Sequence, residues 1–215
     1  MSFPTMPARI IGILFLAITV SARSVAGEAD CGSLAQSFGP YDYRKASVDP
    51  QVKEPLRLIE DAHFTPSIER LVPGQLGLGA DIAWTLRAFP NHHRALWAMA
   101  RMALRDKREM VQGGRLTVDC YFDRAARFQP EDPVPYSLYG LYLIKLGKRD
   151  AAVEELEKAS ARANGDANVH YNIGLGYLDL GRTDKANEHA KIAYAAGFPL
   201  PGLRDRLRAA GAWRD

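Results

Sequence analysis

The sequence predicts an all-α protein built from antiparallel helix pairs. Three observations lead to that class. The C-terminal half matches itself at an offset of 34 residues. Within each matching unit, apolar residues recur at three- and four-residue spacing on either side of a glycine-centred break, the pattern of helix, turn, helix. A composition of 47% hydrophobic and 25% charged side chains supplies enough apolar surface to bury a core, which excludes a disordered chain.

At the N-terminus, Arg9 precedes the apolar run Ile10 to Val20 and the small-residue stretch Ser21-Ala22-Arg23-Ser24-Val25-Ala26-Gly27. That order predicts a secretory signal over 1–26, cut after Ala26 or Gly27. The apolar run has 11 residues, where a membrane-spanning helix needs roughly 20. Glu28-Ala29-Asp30 is too polar an approach for a lipid-modified Cys31. Loss of 1–26 removes Arg9 and Arg23 and no acid, so the formal charge falls from +3 to +1 and gives no reason to expect nucleic acid. An exported chain would let its two cysteines, Cys31 and Cys120, form a disulfide that staples the N-terminal segment to the helices; two free thiols are the alternative.

From 27 to 79 the chain is rich in Pro and Gly, and the expectation is an irregular extension. Thr65 is placed to cap a short helix starting at Pro66. Tyr41 and Tyr43 serve either to pack this extension onto the helices or to hold a partner.

Four further segments follow. Residues 80–92 read as half a unit, the exit of a second helix ending at Phe89-Pro90-Asn91. A divergent unit spans 93–132, with Leu96, Met99 and Ala100 on its first helix, Phe122 and Ala125 on its second, and an enlarged turn around Lys107 to Gly114. Two regular units span 133–166 and 167–198. Gly140 aligns with Gly174, Leu146-Gly147 with Leu180-Gly181, Asp150 with Asp184, Ala152 with Ala186 and Ala159 with Ala193. Glycine inside a helix costs about 1 kcal/mol relative to alanine, so Gly140 and Gly174 point to close approach of the paired helix. Gly147 and Gly181 suit a left-handed helix stop, and Asp150 and Asp184 the start of the next helix. Beyond the break at Pro199 to Pro201, Leu203 and Leu207 mark a capping helix in 199–215.

These residues resemble the tetratricopeptide-repeat family. Tyr136, Tyr139-Gly140, Leu143, Gly147, Ala152, Leu156 and Ala159 take the family's places in one unit, and His170, Ile173-Gly174, Tyr177, Gly181, Ala186, Ala190 and Ala193 in the next. His170 and Ala190 depart from the usual aromatic and large apolar residues, and Asn164 stands where proline is common. The resemblance implies a right-handed α-solenoid whose first helices line a groove for a protein or peptide. The inward positions are Arg94, Trp97, Arg101, Leu104 and Arg105 in the divergent unit. In the next they are Val134, Ser137, Leu141, Ile144 and Lys145, and in the last Asn168, Tyr171, Leu175, Leu178 and Asp179, with Asn172 beside them. Such a groove would be basic at one end and apolar in the middle, and would suit an amphipathic segment carrying acids. The alternative is that the extension itself lies in it. The words Gly39 to Arg44, His63 to Pro66 and Thr85 to His92 are similar to those of exported proteobacterial repeat proteins.

Chemistry is harder to place. His92-His93 reads as a solvated helix entry, His63 as structural, and His170 and His189 as members of different units. Gly77-Leu78-Gly79 lacks the rest of a phosphate loop, and no Cys-x-x-Cys-His or acidic calcium loop occurs. No metal or cofactor is implied. The expectation is a periplasmic scaffold or adaptor that is not an enzyme. An envelope enzyme, a hydrolase or transferase with its site in the extension, and a self-associating structural protein are the alternatives.

Overall fold

The computed structural model describes residue 1 and residues 31–214. Apart from Met1, the signal segment expected over 1–26 lies outside the described residues. Among them are ten α-helices, one 3₁₀ turn and no strand. The 3₁₀ turn, Tyr43–Ser47, leads into α1 (Pro50–His63), α2 (Pro66–Glu69) and α3 (Leu78–Ala88). Next come α4 (His93–Asp106), α5 (Val118–Phe128), α6 (Pro133–Lys145), α7 (Arg149–Arg162), α8 (Ala167–Asp179), α9 (Thr183–Ala195) and α10 (Gly202–Ala209). Helices pair α1 with α3, α4 with α5, α6 with α7 and α8 with α9, while α4, α6 and α8 also touch in sequence and α10 closes on α8 and α9.

The two regular pairs form for reasons the sequence carries. An alanine methyl at Gly140 would lie 2.9 Å from Leu156 Cγ and Cδ2 and 3.3 Å from the Ala152 carbonyl, so α6 can touch α7 only because that methyl is missing. On its other side Leu156 meets Gly176 of α8, where an added methyl would come within 2.8 Å of Leu156 Cδ1. Leu156, with no exposed surface, is therefore a knob held between two glycines of neighbouring pairs. Gly147 and Gly181 both have φ of 75°, and the amides beyond them, Lys148 and Arg182, donate back to Leu143 and Tyr177 at 3.0 and 2.8 Å, which ends α6 and α8. Asn164 has φ of 45°, a conformation closed to the proline common at that place. At their starts, Asp132 accepts from the Val134 amide and Asp166 from those of Asn168 and Val169. Asp150 and Asp184 lie in the first turns of α7 and α9 without capping by hydrogen bond, leaving only their charge to favour the helix end.

The extension is not irregular. α1 is a helix of 14 residues that the prolines hid: Pro50 occupies the first turn, where no amide is needed, and Asp49 caps it through the Gln51 amide. Pro55 does interrupt the ladder, but Val52, Leu56 and Ile59 on one face pack a small second core with Ala46, Ala88 and Phe89. The supposed half unit at 80–92 consequently has a partner: its helix begins at Leu78 and packs on α1. Thr65 precedes α2 as expected but does not cap it; its hydroxyl shares a hydrogen bond with Ser67. Tyr41 and Tyr43 pack inward, on Phe89 and on His92.

Cys31 and Cys120 are joined, with sulfurs 2.09 Å apart, so the staple from the N-terminal segment to α5 exists. One turn further along α5, buried Arg124 donates to the carbonyls of Cys31, Gly32 and Ser33 at 3.3, 3.4 and 2.6 Å.

Two stability measurements check this packing. Gly140→Ala gains about 1 kcal/mol of helix propensity, but Leu156 cannot retreat toward Gly176, and overpacking of about 1–3 kcal/mol should leave a net loss in urea denaturation. A Cys31→Ala/Cys120→Ala variant releases a closure spanning 89 residues; chain entropy makes that worth up to about 4 kcal/mol, read as a lower urea midpoint than the oxidised parent.

Candidate functional site

The turn between α3 and α4 organises the region where the candidate site begins. Asn91 has no exposed surface. Its amide nitrogen donates to Asp42 Oδ1 at 2.7 Å and Asp132 Oδ2 at 2.9 Å, and its oxygen accepts from the Tyr43 amide at 3.0 Å. Arg44 pairs with Asp42 at 2.9 Å, and His93 reaches Asp132 at 2.8 Å. Burial alone would raise the Asp42 carboxyl, but hydrogen bonds from Arg44 and Asn91 bring it below its usual range.

His92 takes the capping position that Asp132 and Asp166 hold in later units: its Nδ1 accepts from the Ala95 amide at 3.1 Å. The proton therefore sits on Nε2, 3.1 Å from Glu60. Burial pushes the His92 pKa down, in keeping with a neutral ring. Tyr43 stacks on that ring at 4.2 Å, and Phe64 meets it edge-on at 4.9 Å. His92 and His93 are thus not a solvated helix entry. His92 is wholly buried, and the words Gly39 to Arg44, His63 to Pro66 and Thr85 to His92 converge on it and on Asn91.

This convergence decides what becomes of the expected groove. Arg94 pairs with Glu60 at 3.2 Å and with Glu69, Arg101 donates to the Glu69 carbonyl, and Arg105 donates to the Leu71 carbonyl at 3.4 Å. The Arg94 side chain pulls the Glu69 carboxyl below its usual range, as His92 does first for Glu60. The basic end of α4 is accordingly engaged by α2 and the chain after it, but Arg94 and Arg105 keep 43% and 44% of their side-chain surface, so the extension occupies this end of the groove only in part. Ser137 is also withdrawn: wholly buried, it donates to the Val134 carbonyl of its own helix. Val134 is buried too. Tyr171 stacks on Phe198 at 4.1 Å and its hydroxyl lies close to Gly202 at the start of α10, so one face of the ring is taken while the residue stays half-buried.

A narrower strip remains. Trp97, Leu104, Ile144, Leu175 and Leu178 are each half-buried against the main core; Leu141 and Asn172 are half-buried as well, and Asn168 is exposed. Ile144 Cδ1 faces Gly176, where an added methyl would lie 3.4 Å away. Lys145 bonds Asp179 at 2.9 Å, joining the same position of two successive units, and Asp179 bonds Arg206 of α10 at 2.5 Å. Burial would raise the Asp179 carboxyl, yet Arg206 and Lys145 together hold it below its usual range. The charged ladder runs along one edge of the apolar strip.

Two histidine pairs lie elsewhere. His63 Nδ1 meets Asp81 at 2.9 Å and the ring stacks on Trp84, tying α1 to α3. His170 and His189 do not belong to different units: they face each other across α8 and α9, Nδ1 to Nδ1 at 2.8 Å, so one ring donates and the other accepts. The sequence alone could have paired them, since both fall in one helix pair, but their facing directions depend on the helix crossing. Burial lowers both pKa values, that of His189 to about 4. Among the described residues no cluster of three His, Cys, Asp or Glu side chains could hold a metal, and no helix is long and apolar enough to cross a membrane. Comparisons with protein-family models, with curated proteins and with solved structures found no match.

The buried histidine pair gives a pH signature. Its folded pKa values lie below the unfolded value of about 6.5, so the stability it contributes is complete above that pH and is lost as pH falls toward about 4. Urea stability at pH 5 should be lower than at pH 7 by at least on the order of 1–2 kcal/mol, allowing for solvent screening, and His189→Gln should shrink that difference, the remainder including the buried His92. A profile flat from pH 7 to 5 would show the pair taking up protons as readily in the folded as in the unfolded chain.

Proposed function

We propose that this chain is an exported tetratricopeptide-type scaffold that holds a protein or peptide partner, in the assembly of an envelope or secretion complex, and performs no covalent chemistry. The observation that carries the reading is the Lys145 to Asp179 bond between equivalent positions of successive units. That correspondence matches the 34-residue sequence period and sets Leu141 with Leu175 and Ile144 with Leu178 along one strip. The remaining surface differs from the amphipathic, acid-seeking groove expected from sequence, because Arg94, Arg101 and Arg105 are engaged by the extension. An apolar helical or extended segment with a polar edge facing Lys145, Asp179 and Arg206 is the better complement.

Export to the periplasm is supported by the signal-like order of residues 1–26 and by the Cys31–Cys120 bridge, which suits an oxidising compartment. The same half-buried leucines would also let two copies pair, and solution mass separates that outcome from guest binding.

A photo-crosslinking residue at Leu141 or Leu178 in cells should trap one discrete partner band, whereas one at exposed Glu188 on α9 should not. Leu141→Glu combined with Leu178→Glu should lower capture at least tenfold while the chain stays helical. Capture of a second copy alone assigns the strip to self-association, and equal trapping at Glu188 removes the strip from the reading.

A further inference from the structure

A second concavity lies away from that strip, where the disulfide-held segment 31–36 arches between α3, α5 and the turn 113–116. It borders an open cleft of about 420 Å³. Three arginines line it, Arg87, Arg115 and Arg124, with the rings of Trp84 and Tyr121 and the Gln36 amide; among the described residues that line it there is no carboxylate.

The charges are unbalanced. Arg124 is only 6% exposed, and its hydrogen bonds go to carbonyls, so it is a buried cation with no ion pair among the described residues. Such a charge is costly unless an anion accompanies it. Burial, reinforced by the neighbouring Arg127 charge, already pulls its pKa down. Arg87 lies 4.0 Å over the Trp84 ring, and neither it nor Arg115 makes a salt bridge among the described residues. Gln36 Nε2 is shielded from solvent without any hydrogen-bond partner. An unmet buried donor costs about 1–3 kcal/mol, which an acceptor in the cleft would relieve.

We propose that this cleft is a binding site for a small organic anion, a carboxylate on a flat apolar body. The carboxylate lies among Arg87, Arg115, Arg124 and Gln36, and the flat body against Tyr121 and the edge of Trp84, whose faces are taken by His63 and Arg87. The site is independent of the partner-binding strip. Because one wall is the segment that Cys31 fastens to Cys120, binding requires the disulfide.

The test uses the full oxidised exported chain and 1-naphthoate, followed by titration calorimetry, with 1-naphthalenemethanol as the uncharged probe of the same shape. Naphthoate should bind at least tenfold more tightly than the alcohol. Arg115→Gln, at an exposed turn position, and Arg87→Gln should each weaken it at least tenfold. Arg182→Gln, at the far α8 to α9 junction, should leave it unchanged, and reduction should abolish it in chain that circular dichroism shows still helical. Absence of naphthoate binding, equal binding of the alcohol, or indifference to both arginine substitutions overturns the proposal. The carboxylates of Glu28 and Asp30, which precede Cys31, are another source of the same chemistry. A Glu28→Gln/Asp30→Asn variant with unchanged naphthoate affinity keeps the site for a free ligand. A tenfold gain in that variant assigns it to the chain's own segment and overturns the small-molecule reading.

Discussion

Asn91 has no exposed surface, and both polar atoms of its side chain are taken by partners more than forty residues away in the chain, Asp42 and Tyr43 on one side and Asp132 on the other. A buried amide left without those partners would cost more than most single contacts contribute, so the three segments are correlated: none can shift without stranding the others. The 3₁₀ turn is thereby fixed against the α3 to α4 turn, and Asp132 is fixed while it caps α6. Through Asp132 the register of the first regular pair is tied to the position of the extension.

Much of the remaining architecture follows from where that hub sets the extension. With Tyr43 and Phe64 seated on His92, α2 is brought over α4, and Glu69 and the carbonyls of Glu69 and Leu71 meet three arginines that would otherwise form a basic face. The disulfide acts at a different place, drawing residue 31 to α5, where Arg124 gathers three successive carbonyls. The extension is therefore held at both ends, by a polar network and by a covalent bond. Between them it closes one surface and shapes another.

The legible parts were those governed by local rules. Glycines 140, 147, 174 and 181 could be read because each answers to one local demand, a close helix contact or a left-handed stop. The ends of α6 and α8 and the start of α10 followed from the same chemistry. α1 was missed because Pro50 and Pro55 carry the signature of irregular chain, while its stabilisation comes from a small core with Ala88 and Phe89 in a later segment. His92 was misjudged for a related reason: a histidine at a helix entry is ordinarily solvated, and only Glu60, Tyr43 and Phe64 from elsewhere make it a buried cap. Of the expected site residues, Trp97, Leu141 and Leu175 keep an open edge, Arg94, Arg105 and Tyr171 stay partly exposed while bonded or stacked to neighbours, and Ser137 is withdrawn altogether, since availability is a property of neighbours.

The sequence by itself determined that the chain is all-helical, that its helices come in pairs, and where the regular pairs stop and start. These depend on spacing within a few residues and on backbone conformations that only certain side chains allow. Only the tertiary structure decided that much of the extension is helical, that Cys31 meets Cys120, that His170 faces His189, and that three arginines of α4 bond to the extension while three others line a cleft with the unpartnered Gln36 amide. Those outcomes depend on distances between residues remote in the chain, and such distances are set by packing of whole helices rather than by any local pattern.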